Sequence, residues 1–133
     1  MKQNRRAFIA TTGILGTGLA ASALPTLNAD KKGIIHHVFF WLKNPTSIAD
    51  RDKLIKGVKA LGKIKEVNML HVAVPAETEK RDVVDNSYSV SELLFFDSLQ
   101  DQKIYQDHPL HQKFIQDHSM LWDKVVVYDS MQV

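Results

Sequence analysis

Tyr105-Gln106-Asp107-His108-Pro109-Leu110-His111-Gln112-Lys113-Phe114 carries two imidazoles three residues apart, a proline between them and a phenol just upstream. Imidazole is the side chain best suited to take and return a proton near neutral pH. Proline disfavours helical backbone for the residue before it, so the spacing predicts a break at His108. Pro109 suits the first position of a new helix. His111 then falls in the first turn, where backbone N–H groups are unpaired and the partial charge is positive. That setting favours neutral imidazole, which accepts a proton, and a tyrosine one short segment away can donate a hydrogen bond. His111 and Tyr105 are therefore the candidate acid–base pair. The competing reading is that His111 caps or packs while Tyr105 fills the core.

Two more polar residues stand where apolar ones are expected. His37 alternates with Phe39 and Trp41 on one strand face. It is either a satisfied core histidine or the polar handle of an apolar pocket. Glu92 alternates with Val90, Leu94 and Phe96. An ionised carboxylate on such a face is costly unless paired, and burial raises its pKa. The alternatives for Glu92 are a place at the sheet edge or a partner such as Lys65. A metal site is the runner-up chemistry. His108 and His111 are three apart, and His111 and His118 share a helix stripe, but no third ligand and no HExxH pattern accompany them. With no cysteine in the chain, thiolate ligation and disulfides are excluded. No metal or cofactor is expected, and the metal alternative is zinc or iron, including haem held through one axial histidine. Spacing assigns no role to His36, His71, His108 or His118.

The elements that must position these groups follow from periodicity. Ile34 to Leu42 is apolar on both alternating sets and rich in β-branched and aromatic residues, which predicts a strand covered on both faces. Asn44-Pro45 ends it. Ser47 and Asp50 form a capping-box pattern, and Leu54, Ile55, Val58 and Leu61 recur at helical spacing. Lys53, Lys56 and Lys59 take the wet side, and Gly62 is placed to cap the C-terminus. Ile64 to Val74 predicts a second strand, Pro75 to Ser87 a polar loop, and Tyr88 to Phe96 a third strand. Ser98-x-x-Asp101 starts a helix through Tyr105, and Pro109 opens another to about His118. Trp122 to Met131 is the last strand. Two strand–helix–strand halves in this length pack most simply as one antiparallel sheet with the helices on one face, a two-layer α+β domain. The other sheet face then needs a cover, and a second copy of the chain is the natural one.

The chain has 133 residues, enough for one domain. Residues 1–29 have a basic start, an apolar run diluted by Gly13, Gly16 and Gly18, and a small-residue ending at Leu27-Asn28-Ala29. They read as an export signal, with Arg5-Arg6 and Phe8 resembling the twin-arginine pattern. The expected location is periplasmic or extracellular, with the domain spanning residues 30–133. The segment holds Lys2, Arg5 and Arg6 and no acid, so the chain's 17 basic and 15 acidic residues become an acidic excess of one once it is removed. No basic surface remains to call for nucleic acid or a membrane.

Three stretches together resemble a known family. They are His37-Val38-Phe39-Phe40-Trp41-Leu42-Lys43, then Leu93-Leu94-Phe95-Phe96-Asp97-Ser98, then Tyr105-x-x-His108-Pro109-x-His111. The pattern resembles the stress-responsive dimeric α/β-barrel (Dabb) family over roughly residues 33–131. The resemblance implies a ferredoxin-like βαββαβ fold with a four-stranded antiparallel sheet, two sheets closing into a barrel across a homodimer. A polyketide-cyclase branch of that family closes a ring with a tyrosine and a histidine that fall on Tyr105 and His111. The same resemblance places its pocket histidine on His37 and other pocket positions on Phe39, Trp41, Phe114 and Trp122. This chain departs from that branch at Val90, which stands where a pocket histidine is found, and at Glu92, which replaces an apolar residue. The expected function is binding of a small apolar or carbonyl-containing molecule between sheet and helices, with cyclase or lyase chemistry as its catalytic form. The alternative from another class is a non-catalytic stress-response dimer.

Overall fold

Serine hydroxyls start two of the three α-helices among the described residues. In the computed structural model, which describes residues 32–133, Ser47 Oγ accepts from the Asp50 N–H at 3.1 Å and opens α1 (Ile48–Ala60). Ser98 Oγ does the same for Asp101 at 3.1 Å and opens α2 (Leu99–Asp107). Each hydroxyl satisfies one of the donors a helix start leaves unpaired. The third helix, α3 (Pro109–His118), starts from the proline break, with the His108 ring accepting the Leu110 N–H at 3.1 Å. The proposed export segment, residues 1–29, lies outside the described residues.

Four strands complete the domain: β1 (Ile34–Leu42), β2 (Met69–Ala73), β3 (Val90–Phe96) and β4 (Trp122–Met131). They form one sheet in the order β2-β3-β1-β4, every pairing antiparallel. This is the ferredoxin-like βαββαβ arrangement that the family resemblance implies, and it is the two-layer α+β domain expected from the order of elements. Each helical connection carries the chain over the strand that ends up in between, so all helices lie on one face. Among the described residues, no helix is long and apolar enough to cross a membrane.

β1 alternates strictly. Ile34, His36, Val38, Phe40 and Leu42 are buried under the helices, whereas Ile35, His37, Phe39 and Trp41 are half-buried on the open face. The core joins Ile34, Val38, Phe40 and Leu42 to Leu54 and Val58 of α1, Val90, Leu94 and Phe96 of β3, Tyr105 of α2 and Phe114 of α3. Burying such side chains supplies about 1.5–3 kcal/mol each relative to exposure. α1 and α3 touch closely at Gly57, where a Cβ would overlap the His118 ring. That ring is held by its Nδ1, 2.9 Å from the Phe114 carbonyl, and by stacking on Phe114. The glycine thus admits the neighbouring helix, in exchange for about 1 kcal/mol of helix propensity.

Several boundaries differ from expectation. The second strand begins at Met69 rather than Ile64, because Leu61–Lys63 continues α1 as a 3₁₀ turn and Ile64 caps it, its N–H bonded to the Leu61 carbonyl. Ile64 is apolar because it completes the core, not because it pairs in the sheet. Gly62 is not a left-handed cap, since no described glycine has positive φ. The third strand begins at Val90 rather than Tyr88.

Candidate functional site

The break predicted at His108 is present. His108 is extended, at φ −65° and ψ 138°, and serves as the last cap of α2 and the first of α3. This reverses the chain so that His111, in the first turn of α3, faces the C-terminal carbonyls of α2. Its Nδ1 lies 3.1 Å from the Gln106 carbonyl oxygen. A carbonyl only accepts, so Nδ1 carries the ring proton and Nε2 of the neutral ring holds the lone pair. Burial holds the His111 pKa below its ordinary 6.5; the Gln106 bond opposes this and His36 adds to it. The ring is therefore a neutral proton acceptor at pH 7.

His111 forms part of the wall of a hollow of about 370 Å³ between the sheet and α3. Phe40, Phe114 and Trp122 supply its aromatic lining, and Val125 and Val127 of the edge strand β4 border it. His36, Glu92 and Gln106 supply further polar groups. A larger groove of about 520 Å³ runs past Lys32, Asp97–Asp101 and Met131, but its Ser98 hydroxyl is already engaged in capping α2. The smaller hollow is where titratable groups converge in an apolar setting.

Glu92 projects from the centre of β3 and is 3% exposed. Its Oε2 is buried with no hydrogen-bond partner among the described residues. Burial raises its pKa from 4.5 to about 8. At pH 7 it is a carboxylic acid. Tyr105 stands behind the wall rather than in it: it is fully buried, its ring centroid 4.6 Å from that of His111 and 5.9 Å from that of His36. Its hydroxyl also lacks a partner among the described residues, and burial, with the charge of Glu92 as a smaller cause, pushes its pKa far up. His36 is 4% exposed, and its Nδ1 lies 2.5 Å from Oδ1 of Asp129, the residue opposite it on β4.

Of the residues singled out in sequence, the structure brings Glu92, His111, Phe114 and Trp122 to one hollow, with Tyr105 against His111. It does not bring His37, Phe39 and Trp41 there. They lie on the opposite, helix-free face of the sheet, where His37 stacks on Phe39 at 4.2 Å and Phe39 meets Tyr88 at 4.9 Å. The reason is register: a slip of one residue along a strand exchanges its faces. The histidine that enters the hollow is the adjacent His36. Sequence reasoning missed His36, Gln106 and Asp129, and only the pairing of His36 with Asp129 across the sheet distinguishes His36 from its neighbour. His108 and His118 each engage local backbone, and among the described residues no group of three His, Asp or Glu side chains is disposed to hold a metal ion.

Burial of Glu92 makes stability depend on pH. Between its ordinary 4.5 and its folded value of about 8, the unfolded chain has released a proton that the folded chain keeps. Stability therefore falls as pH rises across that window. Glu92→Gln removes the effect, so the variant should gain on the parent between pH 5 and pH 8, by on the order of a few kcal/mol in the fully buried limit. Denaturant titrations of both proteins at several pH values check this, and an offset that does not change with pH contradicts it.

The fold has counterparts among known proteins. The model of the stress responsive A/B barrel domain, Dabb, matches residues 34–132. A Dabb-family protein with a ferredoxin-like fold from Mesorhizobium loti superposes with a TM-score of 0.63 at 22% identity, over 77% of this chain and 99% of that one. A dimeric ferredoxin-like protein of unknown function from Thermobifida fusca gives 0.62 at 16% identity, over 77% and 93%. The hydroxynitrile lyase of Passiflora edulis gives 0.63 at 17% identity, over 77% and 95%. No curated protein matches the chain. These structural likenesses concern the fold, whereas the domain match covers nearly all of residues 32–133: the chain belongs to the Dabb family of stress-responsive α/β-barrel domains.

Proposed function

We propose that this protein binds a small, mostly apolar carbonyl compound, or an adduct of one such as a cyanohydrin, in the hollow at His111. There it carries out acid–base chemistry of the lyase or cyclase type. The observation that carries this reading is the contact of His111 Nδ1 with the Gln106 carbonyl oxygen at 3.1 Å beside an apolar hollow that His111 lines, which leaves Nε2 as the basic atom of the ring. Tyr105 backs the ring and limits its rotation. In cyanohydrin cleavage, the base takes the hydroxyl proton, the C–CN bond breaks as the carbonyl forms, and cyanide leaves and is protonated. The lyase among the structural neighbours supports testing that reaction first. Mandelonitrile and aromatic β-hydroxy ketones should be cleaved to the free carbonyl, read by absorbance. His111→Ala should lose about 100-fold or more in rate. If His111→Ala and Tyr105→Phe both bind and turn over as the parent does, the site assignment is wrong.

The functional unit of this reading is a homodimer. Similar proteins from Thermobifida fusca and Bacteroides fragilis are described as dimeric. In this chain the open sheet face carries Phe39, Trp41 and Tyr128, the last 65% exposed. Rings in that number on one face are covered by association more economically than by water. Sedimentation should show the parent as a dimer and Phe39→Asp as a folded monomer; a monomeric parent contradicts this.

The protein acts after export, by the same proposal, with residues 1–29 as a twin-arginine type signal. Support comes from Arg5-Arg6 and the glycine-diluted apolar run. A reporter fused behind this segment should be exported, and Arg5-Arg6→Lys-Lys should block it. Undiminished export of the changed fusion rules the route out.

A further inference from the structure

Glu92 is the feature of the hollow that acid–base chemistry at His111 does not explain. It occupies the middle of the sheet, in register with Val38 on β1 and Val72 on β2, where an apolar side chain would pack without cost. It is almost fully buried, it lines the same hollow as His111, and its Oε2 has no hydrogen-bond partner among the described residues. The hollow contains no lysine or arginine to neutralise a carboxylate. The titratable groups around it are His36 on β1, Tyr105 on α2 and His111 on α3, with Asp129 on β4 behind His36. A buried polar atom left unpaired in the free protein calls for a partner on the ligand.

We propose that Glu92 is a catalytic acid that donates its proton to the carbonyl oxygen of the substrate while His111 Nε2 removes a proton from the adjacent carbon. This rests on the reading of His111 given above and narrows the substrate to an enolisable ketone or aldehyde with an apolar body. The step balances. The C–H electron pair becomes the enol double bond, the carbonyl π pair goes to oxygen, and oxygen takes the Glu92 proton. The products are the enol, a carboxylate and an imidazolium, and the reverse step restores both protons. The environment supplies both protonation states at neutral pH, since burial keeps Glu92 protonated and His111 unprotonated. Two groups whose pKa values are driven apart in this way define an acid and a base.

Hydrogen exchange at carbon tests it on the full chain. Phenylacetone in D₂O should gain deuterium beside the carbonyl, read by NMR, and His111→Ala should abolish the catalysed exchange. Glu92→Gln keeps a donor but has no proton to give. It should lose about 100-fold in rate while tryptophan fluorescence shows nearly unchanged binding. The parent's rate should also fall as pH rises through about 8, a limb that Glu92→Gln lacks. If Glu92→Gln exchanges at the parent's rate, with His111→Ala inactive, Glu92 is not the donor and only the reading of His111 survives. If the parent does not catalyse exchange, with or without binding, the proposal is overturned, and absence of binding as well removes the reading of the hollow beneath it. Tighter binding of phenethylamine than of phenylacetone, strengthening with pH, would assign Glu92 to an ammonium ligand and overturn the proposal too.

Discussion

The contact between the His111 ring and the Gln106 carbonyl depends on three local facts of backbone chemistry. A helix must end with carbonyls unpaired, a proline must force the chain to turn, and the next helix must begin at once. The last turn of α2 then presents a carbonyl to the first turn of α3. The His111 ring answers it at 3.1 Å and the Gln112 side chain donates to the same oxygen at 2.9 Å. The bond fixes which ring nitrogen is basic. Neither helix needs to be long for this, because the junction and not helix length sets the geometry.

The sheet supplies the rest through alternation. On β1 one set of side chains faces the helices and includes His36, Val38 and Phe40, while the other includes His37, Phe39 and Trp41. Glu92 enters the same layer from β3. The helices cover most of that layer, but over β4 they leave Val125 and Val127 more than a third exposed, and there the hollow opens. The two faces thus hold different kinds of aromatic group. Those inside pack against α3 and border polar atoms, and those outside pack on one another. Lys124, 4.4 Å over the Trp41 ring, is the one cation among these ring contacts in the described residues.

Much of this was legible in the sequence where one local rule decided the outcome. The two serine caps, the break at His108, the start of α3 at Pro109 and the order of elements follow from capping and proline sterics. The two-layer α+β architecture followed from that order, and the ferredoxin-like topology from the family resemblance. The faces of β1 were not legible, because both alternating sets are apolar and no period distinguishes them. The adjacent histidines made the ambiguity consequential, and His37 was assigned to the site that His36 occupies. The start of β2 was missed for a related reason: Ile64 is apolar on account of the core beneath α1 and not on account of the sheet. Glu92 was recognisable as an anomaly, but the absence of a counter-charge is a property of the assembled hollow.

His111 acts as a neutral base through Nε2 only if its ring proton sits on Nδ1. Nitrogen NMR of the ¹⁵N-labelled protein reads the protonation of each ring nitrogen directly, with His111→Asn assigning the signals. At pH 7 the account predicts a protonated Nδ1 and an unprotonated Nε2, with Nε2 gaining a proton only below the ordinary histidine value of 6.5. A ring protonated on Nε2 alone, or on both nitrogens at pH 7, contradicts it.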